Sequence, residues 1–196
     1  MNFLAHLYLS GDDADLKIGN FIGDHIKGKT IHLLPSGVKN GVLLHRKIDT
    51  YTDQHPVVMQ SKLRLRPEFR KYAPVIADIY YDHFLAVNWD RFSDISLQQY
   101  ASDFYQLTNE YSHILPARTQ HMLSYMVTHN WLVSYSTLEG IHKVLNGMSK
   151  RTSFNSGMEK AAGELQINYE LYQSEFHNFF ADLEKYVLEE RKLLKG

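Results

Sequence analysis

The stretch MEKAAGELQINYELYQSEFHNFFADLEKYV, residues 158–187, decides the fold class of this chain. Its apolar side chains recur at spacings of three and four residues, at Met158, Ala162, Leu165, Tyr169, Tyr172, Phe176, Phe180, Leu183 and Val187. This period places them on one face of an α-helix. We therefore expect the stretch from Asn155 to Leu194 to be helical, with its apolar stripe buried in the core.

The remaining sequence also favours helices, and no run of alternating polar and apolar residues predicts a strand. Cap residues and prolines suggest helices at about 2–9, 12–27, 37–53, 56–66, 74–90, 96–111, 116–135 and 137–147. The expected caps are Asp12 or Asp13, Ser36, Ser96 and Thr137, and Pro56, Pro74 and Pro116 suit first helical positions. The sequence predicts one all-α domain over residues 1–196, a bundle of about eight or nine helices.

Composition narrows the function classes. The net charge of −1 gives no general attraction to nucleic acid or to a membrane surface. The chain has no cysteine, which excludes disulfides and leaves only nitrogen and oxygen ligands for a metal. The N-terminus MNFLAHLYLSGDD lacks the basic region of a signal peptide, and no apolar stretch is long enough to span a membrane. We expect a cytoplasmic protein.

Acidic and imidazole side chains are frequent within apolar segments of the first 90 residues. They are His6, Asp24, His45, Asp49, Asp53, Asp78, Asp82 and His83. Burying such groups is costly unless they are paired or bind a metal. Asp and His together are common ligands of a divalent cation that activates water. The pattern predicts a metal or phosphate site.

Helical spacing groups several of these residues. His45 and Asp49 are four residues apart, with Arg46 beside them, and Asn20 shares a helix face with Asp24. The alternative is structural: a histidine on an apolar helix can be a hydrogen-bonded core residue, and an i,i+4 pair can be a surface pair. Asp53 can end a helix, and Asp78 can pair with Arg46. The accumulation of such residues on several helices favours the metal site.

A basic stretch, SKLRLRPEFRK at residues 61–71, interrupts this series. Its cations are Lys62, Arg64, Arg66, Arg70 and Lys71, against the single acid Glu68. The stretch is either a solvated segment between helices or a docking surface for an acidic partner or for phosphates.

Six blocks of the chain resemble the acyl carrier protein phosphodiesterases, also called acyl carrier protein hydrolases. They are MNFLAHL (1–7), GNFIGD (19–24), HRKIDTYTD (45–53), YYDHFLAVNW (80–89), WLVSY (131–135) and VLNGM (144–148). The resemblance spans nearly the whole chain. It implies a divergent member of the HD phosphohydrolase fold, although the adjacent His-Asp pair of that fold has only a reversed counterpart here, Asp82-His83.

The resemblance also implies a reaction: hydrolysis of the phosphodiester between 4'-phosphopantetheine and a serine of holo acyl carrier protein. A divalent cation, Mn²⁺ or Mg²⁺, is implied, and Asp24 stands where the essential metal-binding aspartate is expected. We expect Asp24, His45, Asp82 and His6 to bind the metal.

The remaining candidates receive roles from their chemistry. Arg46 would bind a phosphate oxygen, Asp49 or His83 would orient water or protonate the leaving oxygen, and Asn20 would hold a ligand in place. The stretch Lys62–Lys71 would dock the carrier protein, which is acidic. Two other functions remain open: an HD-like hydrolase of a nucleotide or other small phosphate ester, and a non-enzymatic helical module that binds an acidic partner.

Overall fold

The computed structural model describes residues 1–195, and within them every regular element is helical. The α-helices are α1 Phe3–Leu9, α2 Ala14–Ile22, α3 Ser36–Gln54, α4 Pro56–Phe69, α5 Ala73–Val87, α6 Leu97–Glu110, α7 Ala117–Thr128, α8 Trp131–Ser134, α9 Leu138–Ser149, α10 Ala161–Ile167 and α11 Tyr169–Lys195. Short 3-10 segments follow several of them, among them Gly23–His25 and Gly28–Leu33. The all-α prediction is confirmed.

The structure divides two of the expected helices, which raises the number of α-helices in the described residues to eleven. The prediction of one helix over 116–135 is wrong at Asn130, whose backbone adopts a left-handed conformation with φ of 44° between α7 and α8. The C-terminal stretch is likewise interrupted, by Asn168 between α10 and α11. Its apolar stripe is buried as expected at Leu165, Tyr172 and Phe176.

Local side-chain chemistry explains several helix starts. The side chains of Asp13, Ser96 and Thr137 accept hydrogen bonds from the backbone of α2, α6 and α9, as predicted. The prediction that Ser36 caps α3 is wrong, because Pro35 occupies that position and Ser36 is the first residue of the helix.

Helix α5 lies at the centre of the bundle and packs against α1, α4, α9 and α11. Apolar residues surround most of its circumference, and almost every side chain from Ile76 to Ala86 is buried. A helix that is apolar on all sides is stable only inside a core. The polar residues that α5 carries, Asp82 and His83, are therefore buried and must find partners within the fold.

No helix in the part of the chain that the structure describes is long and apolar enough to cross a membrane.

Candidate metal centre

Two imidazoles and one carboxylate meet where α1 and α3 approach each other. His6 from α1 and His45 from α3 stack with ring centroids 4.1 Å apart. The carboxylate of Asp49 contacts both: its Oδ1 lies 3.1 Å from His6 Nε2, and its Oδ2 lies 3.1 Å from His45 Nε2. One donor atom from each residue lies within 4.8 Å of the others, a compact set for one cation. The sequence predicts Asp49 for proton transfer or water orientation, whereas its position groups it with the ligands.

Asn20 in α2 sets the orientation of both rings. Its side-chain Oδ1 lies 2.7 Å from His6 Nδ1, and its backbone oxygen lies 2.8 Å from His45 Nδ1. Both oxygens are acceptors here, so each histidine donates its Nδ1–H and is left with a lone pair on Nε2 when neutral. The Asn20 amide nitrogen donates to the His6 carbonyl and to Ser10. The side-chain atom that faces His6 Nδ1 is therefore the amide oxygen, which can only accept.

These tautomers direct two lone pairs toward a carboxylate. Two neutral Nε2 atoms and an ionised Asp49 would repel one another, since all of them are acceptors. A cation or a proton between them removes the repulsion. The donor set of imidazole and carboxylate therefore fits a divalent metal ion, as the sequence predicts for His6 and His45.

The pKa values of His45, His6 and Asp49 depend on burial and on the contacts among these residues. Burial alone would lower the pKa of His45, but hydrogen bonds to Asp24 and Asp49 raise it to about 9. Burial and the positive charge of His45 lower the pKa of His6 to about 4. Burial opposes the ionisation of Asp49, yet its hydrogen bonds to His45 and His6 hold its pKa well below the usual range. In the absence of metal, a proton on His45 thus occupies the place of a cation.

Asp24 lies at the open side of this cluster, in the 3-10 segment Gly23–His25. Its Oδ1 is 3.3 Å from His45 Nε2, and 72% of its side chain is exposed. The hydrogen bond with His45 lowers the pKa of Asp24 and outweighs its partial burial. Asp24 therefore offers an ionised carboxylate that both the centre and a ligand from solvent can reach.

Close packing of α2 against α3 brings Asn20 to His45. A Cβ atom on Gly19 would lie 2.0 Å from the backbone oxygen of Val38, and one on Gly41 would lie 2.4 Å from that of Leu16. Such distances are far below van der Waals contact, so only glycine allows the helices to approach this closely. At the next turn, a Cβ on Gly23 would meet the ring of His45 at 2.3 Å.

Asp82 lies outside this cluster and anchors α1 to α5. Its two oxygens accept hydrogen bonds from the backbone nitrogens of Leu4 and Ala5, at 2.7 and 3.1 Å. The residue before α1, Asn2, makes no side-chain cap, so Asp82 serves as the cap of the helix that carries His6.

His83 is also held away from the centre. Its Nδ1 donates to the backbone oxygen of Tyr135 at 2.7 Å, and its Nε2 lies 3.0 Å from the hydroxyl of Tyr169. Among the other acids, Asp78 lies 3.4 Å from the amino group of Met1, and Asp53 pairs with Lys62 at 2.6 Å.

Arg46 directly follows His45 in α3 and is exposed. Its Nη2 donates to the backbone oxygen of Ile26 at 3.2 Å, which ties it to the chain just after Asp24. Ser10 belongs to the same hydrogen-bond network and is not among the residues predicted from the sequence. The only sequence signal for Ser10 is its position four residues after His6, directly after the end of α1.

Some cations of the basic stretch 61–71 form ion pairs, and the others are exposed to solvent. Arg64 forms two hydrogen bonds with the buried Glu175, at 2.9 and 2.7 Å, and Lys62 is paired with Asp53. Arg66, Arg70 and Lys71 are exposed.

Comparison with known proteins identifies the family. A model of the family described as acyl carrier protein phosphodiesterase matches residues 1–183. A protein of Enterobacter sp. (strain 638) named acyl carrier protein phosphodiesterase is 31% identical over 181 residues, 92% of this chain and 94% of its own length. A protein of the same name from Photorhabdus laumondii is 30% identical, covering 92% of this chain and 91% of its own.

The protein of that name from Escherichia coli K12 is 31% identical, again over 92% of this chain and 94% of its own. No solved structure matches the chain. The family model covers every residue of the candidate centre, from His6 to Asp49. The chain thus belongs to the acyl carrier protein phosphodiesterase family.

Proposed function

We propose that this protein hydrolyses the phosphodiester that joins 4'-phosphopantetheine to a serine of holo acyl carrier protein. Water adds to phosphorus, the bond from phosphorus to the serine oxygen breaks, and apo carrier protein and 4'-phosphopantetheine are released. The observation that supports this most is the convergence of His6, His45 and Asp49 beside the exposed Asp24, in a chain of this family.

The centre would hold a divalent cation through Nε2 of His6, Nε2 of His45 and the carboxylates of Asp49 and Asp24. When bound, such a cation lowers the pKa of a water and neutralises charge on the phosphodiester. Mg²⁺ prefers oxygen ligands alone, so the two imidazoles favour Mn²⁺ of the two ions that the family resemblance implies.

The protein's own groups would bind and orient the substrate. Arg46 has guanidinium N–H groups beyond the one that donates to Ile26, and these would donate to a phosphate oxygen of the substrate. Asn20 keeps both imidazoles in their ligand tautomers. We assign Asp82 and His83 to positioning, because Asp82 holds the start of α1 and His83 is bonded on both ring nitrogens within the core.

The test is to incubate holo carrier protein with this protein and Mn²⁺ and to measure the intact mass of the carrier. We expect loss of the phosphopantetheine mass, and no loss with Asp24→Asn, which removes a charge from the centre. Asp53→Asn is the matched control, because Asp53 is also an exposed carboxylate but pairs with Lys62 outside the centre.

Other outcomes would contradict the proposal. An unchanged carrier mass together with turnover of a nucleotide or another small phosphate ester would indicate a small-molecule hydrolase. Binding of carrier without cleavage, unaffected by Asp24→Asn, would indicate a non-enzymatic binding module.

A further inference from the structure

The chain forms an exposed basic segment immediately after Asp24. We call residues 25–33 the rim segment. Lys27, Lys29 and Thr30 are exposed, and Leu33 is 84% exposed. Ile31 is only 6% exposed and fixes the segment to the core. The rim segment therefore presents two cations and one apolar side chain from an anchored piece of backbone at the opening of the centre.

Two further cations lie next to the rim segment. His25 Nδ1 is 2.6 Å from the hydroxyl of Thr119, a contact that brings the start of α7 and its exposed Arg118 to this opening. Burial lowers the pKa of His25, and the nearby charges of Arg118 and Lys27 lower it further. Arg46 reaches the same place through Ile26. Cations from three elements thus lie close to residues 25 and 26, which directly follow Asp24.

Four of these cations form no ion pair in the part of the chain that the structure describes. Within residues 1–195, no carboxylate lies within ion-pair distance of Lys27, Lys29, Arg46 or Arg118. The two cations nearest the start of the basic stretch 61–71 differ in this respect, since Lys62 pairs with Asp53 and Arg64 with Glu175. Ion pairing therefore weakens the case for Lys62 and Arg64 alone, because Arg66, Arg70 and Lys71 are exposed and form no ion pair among the described residues.

The chemistry of the substrate also limits where a carrier protein can dock. The scissile phosphorus is bonded directly to a serine oxygen, so the surface around that serine must come against the opening of the centre. The rim segment begins one residue after Asp24, whereas Lys62 and Arg64 contact Asp53 and Glu175, which are not residues of the centre.

We propose that an acidic carrier protein docks on the rim segment together with Arg118 and Arg46, with an apolar side chain against Leu33, and that the stretch Lys62–Lys71 is not the main docking surface. This proposal rests on the proposed function, because it takes its partner from there. It replaces the sequence-based expectation for Lys62, Arg64, Arg66, Arg70 and Lys71 with a surface that borders the centre.

The test compares two double charge reversals, Lys27→Glu with Lys29→Glu and Arg66→Glu with Arg70→Glu. All four residues are exposed, which makes the second pair a matched control for charge and number. The substrates are holo carrier protein and bis(p-nitrophenyl) phosphate, a small phosphodiester without a protein surface. Circular dichroism confirms that each variant is folded.

We expect the rim variant to lose about tenfold or more in kcat/KM on the carrier at low ionic strength, with a weaker salt dependence, and to keep its activity on the small diester. The control variant should retain its activity on both substrates. Equal loss in both variants, or an unchanged kcat/KM of the rim variant on the carrier, would overturn the docking surface.

Binding separates this proposal from the proposed function. Fluorescence anisotropy of labelled apo carrier protein measures docking without cleavage. If the wild-type protein cleaves the carrier and the rim reversals have no effect, the docking surface is refuted but the proposed reaction is not. Binding that depends on the rim residues, without cleavage, refutes the proposed reaction but supports the surface. Absence of both binding and cleavage refutes both.

Discussion

Asn20 is the residue on which both imidazoles of the centre depend. It is fully buried, and it accepts from His6 through its side chain and from His45 through its backbone. A side-chain substitution therefore affects one ring and spares the other. This separation makes the contribution of ring orientation measurable.

We expect Asn20→Leu to weaken Mn²⁺ binding by about 10–100-fold, because His6 loses the acceptor that fixes its tautomer. The buried Nδ1–H of His6, left without an acceptor, should also cost about 1–3 kcal/mol of unfolding free energy, whereas the His6 carbonyl keeps its hydrogen bond from Ser10. Calorimetric titration with Mn²⁺ measures the affinity. Ser10→Ala, which removes a partner of Asn20 but no ring contact, should have a smaller effect; an unaltered affinity in Asn20→Leu would contradict the role.

His83 tests the opposite case, a buried histidine outside the centre. Burial lowers its pKa below the usual value of 6.5. Between the lowered pKa and pH 6.5, the unfolded chain therefore binds a proton on this residue and the folded chain does not. The stability that His83 contributes is full above pH 6.5 and is lost as the pH falls toward the lowered pKa.

We expect His83→Gln to reduce the loss of unfolding free energy on acidification below pH 6.5, and to leave Mn²⁺ affinity and turnover within about twofold of wild type. Urea unfolding at several pH values measures the first effect. The amide of Gln preserves a donor for Tyr135 and an acceptor for Tyr169. Loss of turnover in a folded variant would return His83 to the catalytic role expected from the sequence.

At the scale of elements, the packing of α2 against α3 positions His45 within the centre. Gly19 and Gly41 let the two backbones touch, and this contact places Asn20 against His45. Asp82 performs a comparable task for α1, since it holds the first turn on which His6 depends. The ligands are therefore positioned by helix packing rather than by a loop.

We expect Gly19→Ala to lower the unfolding free energy by about 1–3 kcal/mol or more and to weaken Mn²⁺ binding, because the new Cβ displaces α2 from α3. Gly163→Ala is the control: nothing lies within 4 Å of the added atom in α10. There the substitution should stabilise by about 0.4–1 kcal/mol. Denaturant unfolding measures both, and a tolerated Gly19→Ala would refute the packing argument.

Local signals predicted the helices better than their interruptions. Asp13, Ser96 and Thr137 cap helices as expected because a cap depends on a few neighbouring residues. The break at Asn130 was not predicted, because the apolar residues on both sides of it favour one continuous helix. Asparagine nevertheless adopts the left-handed conformation more readily than most residues and can end a helix.

At the scale of the whole molecule, the candidate centre joins elements that are distant in the chain. His6 and Asp49 are separated by 43 positions, and α5 supports α1 from further away still. A cation bound to the folded protein but not to the unfolded chain must stabilise this arrangement.

We expect Mn²⁺ at about 100 times its dissociation constant to add about 2.7 kcal/mol to the unfolding free energy, which corresponds to a rise of roughly 5–10 °C in Tm. Differential scanning calorimetry with and without chelator measures the shift. Asp53→Asn should keep the full shift and Asp24→Asn should lose part of it. The same Tm with and without Mn²⁺ would contradict the metal centre.

The sequence by itself determined the all-α class, most helix positions and the family, because periodicity, caps and shared blocks are local properties of the chain. It also predicted His6, Asn20, Asp24, His45 and Asp49 as candidates. Only the tertiary structure separated these five from Asp82 and His83, since all are polar residues in apolar segments and their partners lie on other helices. Only the structure, likewise, distinguished paired from unpaired cations, because an ion pair such as Arg64 with Glu175 joins residues 111 positions apart.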